Sequence, residues 1–250
     1  SFNIDRDNNC IVQTMASIKD MPKSAPEALY ELGKSDIKNR AALYQALMDD
    51  PRINKKAIEI LFHLGYFNKF AQPNRLIAEY EIYQKYISVK VLTKSSFDDI
   101  MIDVIRPCCG KETEKQFREI DNRALITALI KQANIKPTTI VDRIKWQLEY
   151  LGYCTVSDPN SDPNDWLVLD VKTTGYGTVY CTLYNLCYGA ERTYRANKKF
   201  WTNHQLSKGD VIRAVLQEKN KMKKDENGEW VTLNEKIVEM KCWKIFKEEI

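Results

Sequence analysis

Histidine is nearly missing from this chain of 250 residues: only His63 and His204 carry an imidazole. His63 stands among Ile60, Leu61 and Leu64 in a helical pattern, and His204 lies in the polar "WTNHQL" with no nucleophile beside it. That spacing argues against histidine-based acid–base or nucleophilic catalysis and gives His63 a helix-face or core role. The seven cysteines form no CxxC pair, and the adjacent Cys108 and Cys109 cannot easily share one metal. They read as reduced thiols of a cytoplasmic protein. No apolar run approaches the ~20 residues of a membrane span, and no charged-then-apolar leader opens the sequence, so no membrane partner is expected. The first residue is Ser rather than Met, the expectation for an excised fragment or processed chain. The net charge of +4 is small, so any affinity for nucleic acid must come from local clusters of Lys and Arg.

What is present falls into two patterns. From about residue 16 to 150, segments such as "APEALYEL", "NRAALYQALMDD", "NKKAIEILFHL", "NRLIAEYEIYQKY" and "RALITALIKQA" repeat apolar residues every three or four positions, the period of helices. Asn39, Asn54, Asn74 and Asn122 stand at or just before such starts, where a side-chain oxygen can cap backbone N–H groups. "SDPNSDPNDW", residues 157 to 166, then crowds three Asp, two Pro, two Ser and two Asn, the composition of a loop between domains.

After that loop the period becomes two. "WLVLDVKTTGYGTVYCTLYNL" is β-branched and aromatic around a Gly-Tyr-Gly turn, which predicts a hairpin. "GDVIRAVL" predicts another strand, "DENG" a break, and "KIVEMKCWKIF" a closing strand. Roughly five strands of this spacing suit a small antiparallel barrel of the oligonucleotide/oligosaccharide-binding (OB) type. The expected fold class is therefore α+β, with an all-α domain first and a five-stranded OB barrel second. The expected bounds are 1–85 for a helix-hairpin-helix domain, 86–156 for a helical connector and 157–250 for the barrel.

The stretch "INKKAIEILFHLGYFNKF", residues 53 to 70, ends a helix at Gly65, and "PNRLIAEY" opens another. Such a helix-hairpin-helix unit can offer backbone N–H groups to a phosphate, with Lys55, Lys56, Lys69 and Arg75 adding positive charge. Equally, Gly65 can be an ordinary C-terminal helix cap with Tyr66 and Phe67 in the core.

"FNIDRDNNCIVQTMASIKDMPKSAPEAL" together with "INKKAIEILFHLGYFNKFAQPNRLIAEY" resembles the tandem helix-hairpin-helix region of the bacterial replicative DNA polymerase III alpha subunit. "LEYLGYCTVSDP" resembles the helix end before that family's OB barrel, and "WLVLDVKTTGYGTVYCTLYNL" with "KGDVIRAVL" resembles the barrel; residues 86 to 140 fit only loosely. The resemblance implies duplex DNA gripped by its backbone through Lys19, Lys23, Lys55, Lys56, Gly65, Lys69 and Arg75, and single-stranded template on the barrel. It also implies replisome partners such as the sliding clamp, although "QKYI" at Gln84 is too weak to name as a clamp-binding peptide. In the first hairpin Asp20, Met21 and Pro22 stand where the family has glycines, and Pro removes an N–H, which leaves Lys19 and Lys23 to supply charge.

The barrel residues can be read physically as well. In "TVYCTLYNL" the alternation puts Val179, Cys181 and Leu183 inward and Tyr180, Thr182 and Tyr184 outward, where a base can stack on a ring. "YRANKKFW" mixes Arg195, Lys198 and Lys199 with aromatics including Trp201, a composition that tracks a phosphate backbone while stacking its bases. A solvated loop with a buried Trp201 is the alternative. "EKNKMKKDENG" forms a basic arm with Lys221, Lys223 and Lys224; with Lys172 these complete the expected single-strand contacts.

Catalysis finds no carrier. Asp98, Asp99 and Asp103 in "FDDIMID" lie in a helical pattern that more often makes a solvent face than a two-metal site. By the resemblance, Mg²⁺ belongs to a palm domain upstream, and no cofactor is expected here. Rival readings are a stand-alone single-stranded DNA or RNA binding module, and a replisome adaptor whose barrel binds protein.

Overall fold

The computed structural model describes residues 2–5 and 10–246 and divides into two compact units, one running to residue 138 and including 145–153, the other comprising 139–144 and 154–250. The chain is α+β.

The first unit opens with an antiparallel pair, β1 (Phe2–Asp5) and β2 (Cys10–Gln13). Four helices follow: α1 (Ala25–Gly33), α2 (Arg40–Asp49), α3 (Lys55–His63) and α4 (Pro73–Tyr86). Asn39 and Asn54 cap α2 and α3 as expected, their side chains accepting from the N–H groups of Ala42 and Ala57 at 2.9 Å. Asn74 does not cap α4. The helix starts at Pro73, whose missing N–H costs nothing at that position, so Asn74 lies inside the first turn and its N–H donates to Thr138 Oγ1 at 3.0 Å.

Beyond α4 the expected helical connector is only partly helical. β3 (Val91–Thr93), α5 (Asp99–Ile105), β4 (Cys109–Glu112) and β5 (Gln116–Ile120) come next, with the strands joined in the order β3-β5-β4. Then comes α6 (Asn122–Gln132); of α7 (Ile140–Tyr150), residues 145–150 count with this unit and residues 140–144 with the second. Asp121 caps α6 through the N–H groups of Arg123 and Ala124, whereas Asn122 turns its amide back onto the carbonyls of Tyr86 and Val89. The first unit is thus not all-α, and no boundary falls at residue 85. One core joins Leu43, Tyr44, Leu61, Phe62 and Leu76 from the early helices to Leu92, Phe117 and Leu125 beyond them. Tyr44, Phe62 and Tyr80 meet edge to face at its centre, with ring centroids 5.7 to 6.5 Å apart.

The second unit contains β6 (Asp165–Thr173), β7 (Val179–Asn185), β8 (Glu191–Ala196), α8 (Lys198–Asn203), β9 (Val211–Lys224) and β10 (Trp230–Phe246). The predicted hairpin is present: Leu167 to Thr173 pair antiparallel with Tyr184 to Val179 around the Gly-Tyr-Gly turn. The strands close in the order β10-β8-β7-β6-β9, all neighbours antiparallel except β10 and β8, which run parallel at Glu239 and Arg195. Val168, Cys181, Leu183, Ala196, Ile212, Ala214 and Met240 fill the interior. β9 and β10 continue past this ring as a two-stranded arm whose residues from Gln217 to Val238 are mostly exposed.

Candidate nucleic-acid interface

The hairpin after α3 is built as a helix stop. Gly65 takes φ +78°, its N–H donates to the Phe62 carbonyl at 3.0 Å, and the Tyr66 N–H donates to the Leu61 carbonyl at 3.0 Å. This paired set is the Schellman cap. The N–H of Asn68 donates to the Gly65 carbonyl, and that of Asn74 in α4 to Thr138, so further donors of the hairpin and next helix are engaged. At Gly65 and Tyr66 the N–H groups complete the chain reversal, the helix-cap alternative for this glycine. Tyr66 is about half exposed, while Phe67 packs edge to face on Phe62, centroids 5.8 Å apart.

The charges expected around it divide. Lys56 Nζ lies 3.3 Å from Tyr150 Oη and 3.5 Å from Glu59, and the bond to Tyr150 raises its pKa. Arg75 Nε donates to the buried Glu79 at 2.7 Å. Lys19, Lys23, Lys55 and Lys69 are exposed. In the first hairpin Asp20 takes φ +62°, a left-handed conformation usually left to glycine, and the Lys19 N–H donates to the Tyr150 carbonyl. His63 is half buried, stacked on Trp146 at 4.2 Å with Nδ1 3.3 Å from Tyr150 Oη, a packing role. Asp98 caps α5 through the Met101 N–H, and Asp103 pairs with Arg106 at 2.5 Å, so these carboxylates serve helix structure.

In the second unit the strand register makes a row. Lys172 faces Tyr180 across β6 and β7, Tyr180 faces Arg195 across β7 and β8, and Arg195 faces Glu239 across the parallel junction. Directly opposed residues share a face, so a cation, an aromatic ring and a guanidinium stand side by side on the outer surface. Tyr180 is 40% exposed. Two carboxylates temper the charge. Asp170 holds Lys172 at 3.0 Å, and that bond draws the Asp170 pKa below the usual range. Glu239, 5% exposed, binds Lys219 and lies 3.8 Å from Arg195.

Tyr184 does not join the row. Its strand alternation points it outward, but the segment before β6 covers it: the hydroxyl donates to the Val156 carbonyl at 2.7 Å, and the residue is 2% exposed. Burial pushes its pKa up. Trp201 is partly buried and packs against the interior with its ring 6.5 Å from Trp243, and the segment forms the short helix α8 rather than a loop, with Lys198 and Lys199 exposed in its first turn.

The arm is less basic than its sequence. Lys221 pairs with Glu235 at 2.8 Å, which raises the lysine's pKa, and Lys236 pairs with Glu218 at 2.9 Å. Lys224 lies over the Trp230 ring, 5.6 Å from its centroid, and Lys223 is exposed. Sequence reasoning missed Lys219, although it alternates with Lys221 and Lys223, and Tyr176, which is fully exposed at the tip of the predicted turn. Comparison of the chain with protein-family models, curated proteins and solved structures gives no match.

Proposed function

We propose that this chain is a non-catalytic nucleic-acid-binding part of a bacterial replicative DNA polymerase alpha subunit, taking single strands on the outer face of its second unit. The observation that carries the binding is the row Lys172, Tyr180 and Arg195, which offers a stacking ring between two cations. A base gains roughly 1–3 kcal/mol by stacking on such a ring, and flanking cations hold the phosphates on either side.

The closing order of five strands, the parallel contact between its third and fifth members and the helix between its third and fourth support an OB barrel. In barrels of that type the second and third strands, with the loops joining the first to the second and the fourth to the fifth, meet oligonucleotides. Here those parts are β7, β8, the turn carrying Tyr176 and the arm. The polymerase assignment rests on the order of the sequence motifs. Duplex contacts in the first unit would then fall to exposed lysines, Lys19, Lys23, Lys55 and Lys69, rather than to a backbone cradle. A replisome protein as partner is the second reading, favoured by the exposed Met222, Trp230 and Val231 on the arm.

Fluorescence anisotropy of labelled single strands and duplexes, titrated with the intact chain at several salt concentrations, tests the proposal. Single-strand binding that weakens with salt and with Tyr180→Ala is expected. No binding of either nucleic acid at low salt would sink the proposal and leave the protein-partner reading ahead.

A further inference from the structure

In the first unit, α2, α4 and α6 line an open cleft of about 990 Å³. Its floor is apolar and aromatic, from Tyr83, Phe70, Ile126 and Ile130, and its lining carries four cations, Lys38, Arg40, Lys69 and Arg123. The single carboxylate among the described lining residues, Glu79, is 2% exposed and already engaged by Arg40 Nε at 2.6 Å, Arg75 Nε at 2.7 Å and the Tyr44 hydroxyl at 3.0 Å. A second cleft of about 660 Å³ shares Arg40, Phe70 and Ile130 with the first and adds Arg75, Lys131 and Lys136.

We infer that this cleft is a binding site for a small phosphorylated ligand of the nucleoside phosphate class. Glu79 holds Arg40, which lines this cleft, and Arg75, which lines the second, by their Nε atoms, and Arg40 Nη1 also donates to the Phe70 carbonyl at 3.3 Å, so the Arg40 plane is set before any ligand arrives. Fixed guanidinium forks match the geometry of phosphate oxygens. The lining carries four cations against the one carboxylate Glu79, with Lys38 Nζ also 3.6 Å from Asp36 in an exposed pair, so it keeps an excess of positive charge. The apolar floor suits a base, and the volume lies at the upper end of the roughly 300–1,000 Å³ of small-ligand pockets. The inference does not depend on the single-strand row of the second unit.

Calorimetric titration of the intact chain with adenosine triphosphate, adenosine and inorganic phosphate tests it. Triphosphate binding tighter than about 1 mM, with adenosine and phosphate each weaker, is expected. Lys38→Ala with Arg123→Ala, both on the rim and outside the Glu79 network, should weaken the triphosphate roughly tenfold or more by loss of charge-assisted bonds, with the melting temperature kept. Absence of triphosphate binding overturns the inference. So does a double variant that loses oligonucleotide affinity as strongly as triphosphate affinity, since the cleft would then belong to a nucleic-acid track.

Discussion

Two tyrosines on one strand separate binding from packing. Tyr180 and Tyr184 have the same parity in β7, but one is 40% exposed in a row with Lys172 and Arg195 and the other is 2% exposed with its hydroxyl on the Val156 carbonyl. Tyr180→Ala should cost roughly 1–3 kcal/mol in single-strand affinity and leave the salt slope unchanged, because stacking releases no counterions. Arg195→Ala should instead flatten the slope by about 0.7 if one phosphate contact is lost. Anisotropy titrations at several salt concentrations read both. Tyr184→Phe should leave single-strand affinity intact but lower stability by about 1 kcal/mol, because the Val156 carbonyl loses its donor; urea denaturation measures it.

Among the elements, the α3 hairpin is the one whose meaning changes most between sequence and structure. Its glycine, two aromatics and lysines fit a phosphate-binding hairpin and a helix stop equally well. The hydrogen bonds from Gly65 and Tyr66 back to Phe62 and Leu61 favour the stop. Gly65→Ala places a Cβ at φ +78° against the Asn68 side chain, 2.5 Å from its amide nitrogen. The left-handed conformation alone should cost about 1–2 kcal/mol, read by urea denaturation. Duplex affinity of the folded variant should match that of the parent; a loss that appears only in duplex binding, with stability kept, would return the hairpin to the phosphate. Phe62→Ala, in the ring cluster with Tyr44 and Tyr80, should cost roughly 3–5 kcal/mol through the cavity it leaves.

At the scale of the whole molecule, no primer extension is expected from the purified chain with Mg²⁺ and four nucleotides, since Asp98 and Asp103 are occupied in capping and pairing around α5; detectable incorporation would refute this. The helices of the first unit and the long strands of the second were legible because each repeats its apolar residues at its own period over many positions, and the Asn39 and Asn54 caps are local chemistry. The α+β class and the Gly-Tyr-Gly hairpin follow from the same local rules. The strands β3, β4 and β5 were not legible, because three to five residues are too few to establish a period and their partners lie up to 27 residues away, as Val91 and Arg118 do. Burial of Phe117 and Leu92 in the helical core, which joins residues on both sides of position 85, likewise depends on contacts no local pattern records. The row of Lys172, Tyr180 and Arg195 needed the register of three strands, and the Glu79 network needed two helices brought together. Sequence determined which residues could stack, pair or cap; tertiary structure decided which of them did, because burial and hydrogen bonding depend on partners distant along the chain.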